Sequence, residues 1–455
     1  MDFYLGATPD SDPAADSDAR ITYDPSDLTT HGVIVGMTGS GKTGLGVIYL
    51  EEALRQGIPT LVIDPKGDMT NLLLTFPDLA PADFRPWIDE AAAAKDGMSP
   101  EAKADGEATK WREGLGSWGL SGSDIGALRE RVGMTIYTPG SQAGVPLNVV
   151  GELDVPDLSW DTDAEAMRDE IEGFASGLLG LVDIDADPIS SKEHILLSNL
   201  IEHNWRAGNG VSLEALIGQV ATPPIRKLGV FEVDTFFPQK DRMAFAMKLN
   251  GLLASPAFAA WMEGPTLDIE ALLWTDEKPQ AAIIYLAHLS ESERQFIVTT
   301  IFSKLITWMR SQPGSSDLRV LAYMDEVFGF VPPTAEPPAK KPLLTLLKQA
   351  RAFGVGLLLS TQNPVDLDYK AMSNAGTWCI GRLQTERDKA RILEAVSAAS
   401  GGVDISAIDS QISGLGKRQF LLHNTRENHP ALFGTRWAMS YLRGPMTREE
   451  VERVT

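Results

Sequence analysis

The segment that most constrains this chain is Gly36-Met37-Thr38-Gly39-Ser40-Gly41-Lys42-Thr43, which fits the pattern G-x-x-x-x-G-K-[ST]. The pattern works only where an apolar strand runs into a helix, and both flanks are present. His31–Gly36 is a short apolar run, and Gly41–Gln56 follows with helical composition and an Ile48-Tyr49-Leu50 core stripe. Thr60–Asp64 reads as a second buried strand. Strand, helix and strand with short links make a βαβ unit, and hence a parallel sheet. Glycines let backbone N–H groups turn toward phosphate oxygens, and the helix start adds the positive end of its dipole. Gly36, Met37, Thr38, Gly39, Ser40, Gly41, Lys42, Thr43 and Gly44 are therefore expected to cradle ATP. Lys42 is expected to meet the β and γ oxygens, and the Thr43 hydroxyl to ligate Mg²⁺.

Two more apolar strands end in side chains suited to the same site. Val320–Met324 runs into Asp325 and Glu326. Carboxylates at the carboxyl end of a parallel strand face the ligand crevice. Asp325 is expected to hold Mg²⁺ through water, and Glu326 to orient and deprotonate an attacking water. Two exposed carboxylates closing a strand are the plainer alternative. Leu357–Leu359 leads into Ser360-Thr361-Gln362-Asn363-Pro364. There Gln362 could bond both the γ-phosphate and the water, or the segment could be a polar turn.

A chain of 455 residues is long for one simple core. The pattern predicts a 1–30 acidic arm, mostly irregular apart from a short strand at Ala19–Tyr23. An ATPase domain follows over 31–445, and 446–455 forms a tail. Within the domain, 77–130 reads as a helical insertion on the sheet edge, and 160–262 as a second helical stretch. Ser290 and Glu293 form a capping box that starts a long helix. No apolar run reaches the roughly 18–20 residues that span a bilayer. Met1–Asp18 lacks the basic start and apolar centre of a secretory signal. Cys379, the only cysteine, excludes an internal disulfide and fits a reducing cytoplasm as a small strand residue. Forty Lys and Arg against 62 Asp and Glu give a formal charge of −22, which opposes sequence-independent DNA binding by the whole surface but not by a local basic loop.

The ordered set HGVIVGMTGSGKT, VIDPKGD, IYTPGS, VLAYMDEV and LLLSTQNP resembles the FtsK–HerA superfamily of P-loop motor ATPases, and most closely its HerA-like branch. The likeness runs from about His31 to Phe433. It implies an α/β fold: a RecA-like (ASCE) P-loop NTPase with a mainly parallel central sheet and a large helical insertion. It also implies a homohexameric ring that moves double-stranded DNA through its channel. A nuclease or other effector is an expected partner, and related ATPases serve in anti-phage defence. Arg382 is similar in placement to a trans-acting arginine of the family, and Arg351 is the second candidate; each could equally be a surface cation, paired for instance with Glu386 or Asp388. Asp64 and Lys66 match family positions near the site, or are structural. The loop Val331–Pro342 is expected to face the channel and to offer Lys340 and Lys341 to phosphates. About 30 residues precede the P-loop strand, fewer than the amino-terminal β-barrel of typical HerA proteins needs, so barrel-mediated nuclease docking is not expected. The ending at Thr447–Thr455 suggests a longer polypeptide. A different class of function stays open: a regulatory assembly ATPase that scaffolds or switches a separate effector without moving DNA.

Overall fold

The computed structural model describes residues 1–399, 405–427 and 429–455. One twelve-stranded sheet organises them. Its strands are β1 (Phe3–Ala7), β2 (Arg20–Tyr23), β3 (Gly32–Val35), β4 (Thr60–Asp64), β5 (Gly133–Tyr137), β6 (Trp274–Thr275), β7 (Lys278–Tyr285), β8 (Ser315–Met324), β9 (Phe353–Thr361), β10 (Thr377–Ile380), β11 (Gln419–Asn424) and β12 (Ala431–Thr435). The spatial order is β7-β4-β8-β9-β3-β10-β11-β12-β1-β2, with β5 and the short β6 both paired to β7. From β5 to β10 the neighbours run parallel, β6 excepted; from β10 onward through β2 they run antiparallel.

Helices cover both faces of the parallel half, which is why its strands read as continuous apolar runs. Side chains alternate between two cores. Val33 and Val35 of β3, and Val320, Ala322 and Met324 of β8, face one core. Ile34, Leu321 and Tyr323 face the other. The P-loop helix α1 (Lys42–Arg55) packs in the second core, with α2 (Pro100–Gly116) and α3 (Gly122–Arg131) over it. The first core holds α4 (Ala164–Leu181), α5 (Lys192–Arg206), α6 (Leu213–Ala221), α7 (Gln239–Ala254) and α8 (Glu291–Ser311). Ser290 caps α8 through the expected box with Glu293. The chain continues through α9 (Lys340–Gln349), α10 (Glu386–Ala399), α11 (Ile405–Ser413) and α12 (Arg448–Val454).

Two expectations change. The amino-terminal arm is not mostly irregular: Phe3–Ala7 is a strand buried along its whole length, paired with β12 and β2 at the antiparallel end of the sheet. Residues 77–130 do not sit out on the sheet edge; Trp111, Ile125 and Leu128 pack into the core around α1. Among the described residues, no helix is long and apolar enough to cross a membrane.

Candidate nucleotide site

The P-loop is held on three sides by backbone. Gly36 N–H donates to the Thr361 carbonyl at 3.3 Å, Met37 N–H to the Arg382 carbonyl at 2.7 Å, and Arg418 N–H to the Ser40 carbonyl at 2.8 Å. The loop turns through Gly39 (φ +77°) and Gly41 (φ +109°), conformations that favour residues without a Cβ. Lys42, at the start of α1, folds back and donates to the carbonyls of Gly36 (2.6 Å) and Met37 (3.4 Å). It is buried and makes no ion pair among the described residues. Burial lowers its pKa, while Glu326 and Asp325 pull the other way. The buried Ser40 hydroxyl has no partner. A loop with a buried cation on its own carbonyls and an unsatisfied hydroxyl fits a phosphate chain.

The order β8-β9-β3 places the sensor strand between the acidic strand and the P-loop strand. Gln362, just past β9, therefore bridges the two. Thr38 Oγ1 donates to Gln362 Oε1 at 2.5 Å, and Gln362 Nε2 donates to Glu326 Oε1. Lys66 Nζ lies 3.2 Å from the same Glu326 oxygen. Glu326 adopts φ +46°, a left-handed backbone that an ordinary side chain occupies only at a cost of about 1–3 kcal/mol. Asp325 is buried, and the Tyr323 hydroxyl donates to its Oδ1 at 3.1 Å. Burial and the Glu326 charge push its carboxyl up to about 6. Asp64 is pushed up to about 7 by burial and by Asp325. Carboxyl groups so raised by burial and mutual repulsion suit a cation at Asp325.

Asp64 does not face the crevice as a ligand. Its two oxygens accept the backbone N–H groups of Gly67 (2.7 Å) and Met69 (2.9 Å), which shapes the loop that carries Lys66. Arg382 is exposed, and its carbonyl braces the P-loop of its own chain. Arg351 is exposed at the opposite end of β9 from Gln362, so the two arginines leave different edges of the sheet. Neither has a carboxylate partner among the described residues. Cys379 is buried in β10 beside the Tyr49 hydroxyl, and burial pushes its thiol up to about 12.

The expectation for the lysines of the Pro-rich loop is overturned. Lys340 is buried at the start of α9 between Glu336 and Asp368, each at 2.9 Å. Lys341 pairs with Asp169 at 3.0 Å and Glu172 at 2.7 Å on α4. Both charges are neutralised within the fold, so neither is a free phosphate contact.

A cavity of about 350 Å³ opens along the P-loop. Thr38, Lys66, Asp68, Glu326 and Gln362 are among the residues that line it. It is lined as well by side chains that no motif had marked: Trp111, Lys417, Arg418, Trp437 and Leu442. They come from α2 and from the antiparallel half of the sheet, more than 60 residues from the loop in sequence. Only a three-dimensional arrangement brings them there.

Residues 11–104 match the family model described as the central domain of helicase HerA. No curated protein matches the chain in sequence. Among solved structures, VirB4 of Thermoanaerobacter pseudethanolicus is similar with a TM-score of 0.54 at 14% identity, over 95% of this chain and 96% of that one. The plasmid coupling protein TrwB in complex with ADP and Mg²⁺ is similar with a TM-score of 0.51 at 12% identity, over 98% and 97%. Over residues 11–104 the chain thus resembles the central domain of helicase HerA, and over nearly its whole length it shares the RecA-like fold of VirB4 and TrwB.

Proposed function

We propose that this chain binds ATP with Mg²⁺ and hydrolyses it, and that it does so as a ring of six copies driving double-stranded DNA through the channel. The observation that carries the hydrolytic part is the convergence of Lys42, Thr43, Glu326 and Gln362 on the P-loop cavity, with Asp325 buried next to Glu326 in the chain. Lys42 leaves the Gly36 and Met37 carbonyls for the β and γ oxygens. Thr43 and Asp325 hold Mg²⁺, which supplies charge neutralisation on the phosphates. Glu326, released from Lys66 and Gln362, takes a proton from the attacking water. Gln362 turns from Thr38 toward the γ-phosphate and links the reaction to the loop beyond β9. The DNA part is supported by the match of residues 11–104 to the central domain of helicase HerA.

A second reading draws on a specific observation. Lys340 and Lys341 are tied to carboxylates, and the chain is strongly acidic. That favours an assembly ATPase whose nucleotide state switches a separate effector, such as a nuclease within a defence complex. ATP turnover of the purified protein with and without duplex DNA separates the two: DNA stimulation supports the translocase, and indifference to DNA supports the switch. Lys42→Ala is expected to abolish turnover, and Glu326→Gln to slow it by at least ~10²-fold with ATP still bound. Normal turnover in Glu326→Gln removes Glu326 from the mechanism.

A further inference from the structure

The part of the P-loop cavity lined by Trp111, Arg418 and Trp437 takes no part in the phosphate chemistry proposed above. We infer that it is the base site, where a purine stacks on the Arg418 guanidinium, with Trp437 as the plate behind it. This rests on the reading that the cavity takes a nucleoside triphosphate.

The direction of the nucleotide follows from the two ends of the cavity. Glu326 and Gln362 mark where water attacks, so the γ-phosphate lies there. A chain laid from that end along Lys42 and Thr43 leaves the loop at Gly44. Leu442 stands directly beyond, 3.7 Å from where a Gly44 Cβ would be. Trp111 and Trp437 also line the cavity, and Arg418 stands beside Gly41, its Cγ 3.3 Å from where a Cβ would be there.

Arg418 is placed firmly for an exposed residue. Its N–H donates to the Ser40 carbonyl at 2.8 Å, and its own carbonyl accepts from Thr435 N–H at 3.0 Å. It holds φ +59°, a conformation that arginine rarely adopts. Its guanidinium carbon lies 5.0 Å from the Trp437 ring centroid. It makes no ion pair among the described residues, so its plane is available. A guanidinium plane stacks on π systems as well as attracting charge.

Trp437 in turn is braced from behind. The Trp111 ring meets it edge-on at 5.2 Å. Gly114 of α2 approaches so closely that a Cβ there would lie 2.6 Å from ring atoms Cδ2 and Cε2. The indole N–H groups of Trp111 and Trp437 are buried without a partner. Both lie out of reach of a ligand in the cavity, so stacking rather than hydrogen bonding to the indoles would select the base. A two-ring base also covers more of the guanidinium and indole than a pyrimidine does.

The test is calorimetric titration of the full chain, in Mg²⁺, with ATP, CTP and inorganic tripolyphosphate. The wild type is expected to bind ATP more tightly than CTP. Arg418→Gln, a surface change, is expected to weaken ATP about tenfold, the scale of one stacked base, and to leave tripolyphosphate unchanged. Trp437→Leu should act in the same way. Gly114→Ala, which pushes on Trp437 and alters no cavity side chain, should weaken ATP by a smaller factor. Equal losses for ATP and tripolyphosphate in Arg418→Gln would make Arg418 a phosphate ligand and overturn the inference. So would unchanged ATP affinity, or a wild type that binds all three probes alike. Lys42→Ala is the separate control: if it weakens none of the probes, the nucleotide reading of the cavity fails, not merely its base end.

Discussion

Gly46 of α1 gives a test of the packing that sets Asp325 and Glu326. A glycine inside a helix ordinarily costs about 1 kcal/mol against alanine, so Gly46→Ala should stabilise the protein if helix propensity decides. The structure says otherwise. A Cβ at Gly46 would lie 2.7 Å from Cζ and 2.9 Å from Cε2 of Tyr323. Tyr323 is 1% exposed and has nowhere to retreat. Overpacking a full core costs about 1–3 kcal/mol. The Tyr323 hydroxyl also donates to Asp325 at 3.1 Å, and losing that donor from a buried carboxylate costs a further ~1–3 kcal/mol. Against a gain of ~1, the net expectation is a loss of about 1–5 kcal/mol. Gly251→Ala is the matched control, because nothing lies within 4 Å of a Cβ there on α7. It should stabilise by about 0.5–1 kcal/mol. Urea unfolding of both variants reads the two signs directly. If Gly46→Ala rises in midpoint together with Gly251→Ala, the close approach of α1 to β8 is not as described, and Asp325 is not held through Tyr323.

His31 is buried at the head of β3, where its Nδ1 accepts the Leu357 N–H at 3.1 Å, and burial lowers its pKa from 6.5 to about 4. The stability that this contributes is present above pH 6.5 and is lost as pH falls through about 4. It amounts to roughly 3 kcal/mol at the acid end, so His31→Gln should flatten the wild-type loss of stability over that window. Lys340→Glu should destabilise by about 3–5 kcal/mol, because it sets a buried carboxylate against the nearly buried Asp368, whereas Lys341→Ala at the half-exposed α4 contact should cost under ~1 kcal/mol; thermal unfolding separates the two. If Arg382 acts across a subunit interface, mixing inactive Glu326→Gln and Arg382→Ala proteins should restore part of the turnover, since an inserted arginine contributes ~10³–10⁵ in rate. Full activity in Arg382→Ala alone would leave Arg351 as the remaining candidate.

What was legible in the sequence was what is local. The P-loop, the Asp325-Glu326 strand end and Gln362 each announce themselves within eight or nine residues, because strand, turn and functional side chain are contiguous. The same holds for α4, whose bounds follow from its own apolar period. Phe3–Ala7 was hidden by an Asp-rich neighbourhood, and becomes a strand only because β12 offers it an edge. Lys340 and Lys341 misled for the same reason in reverse. Two adjacent lysines in a Pro-rich loop look free, and the carboxylates that neutralise Lys341 lie some 170 residues earlier on α4. Arg418 and Trp437 carry no motif at all, and their place at the cavity depends on how β11 and β12 return beside β10.

The two halves of the sheet divide the work of the cavity, and Arg436 joins them. The parallel strands deliver Lys42, Asp325, Glu326 and Gln362, while the antiparallel strands deliver Arg418 and Trp437. Arg436 lies between Thr435 and Trp437 with its guanidinium fully buried, 2.9 Å from Glu51 and 2.9 Å from Glu52. Both glutamates are on α1, whose first residue is Lys42. A buried charge triad of this kind contributes little net stability, but it resists being pulled apart, since each unpaired charge left behind costs several kcal/mol. The register between the P-loop helix and the Trp437 segment is thereby fixed. A displacement of α1 on its phosphate side must carry the antiparallel strands with it, or break the triad. Gln362 and Lys66 hold Glu326 at the other end of the cavity, so what enters along the P-loop has to meet two preset ends at once.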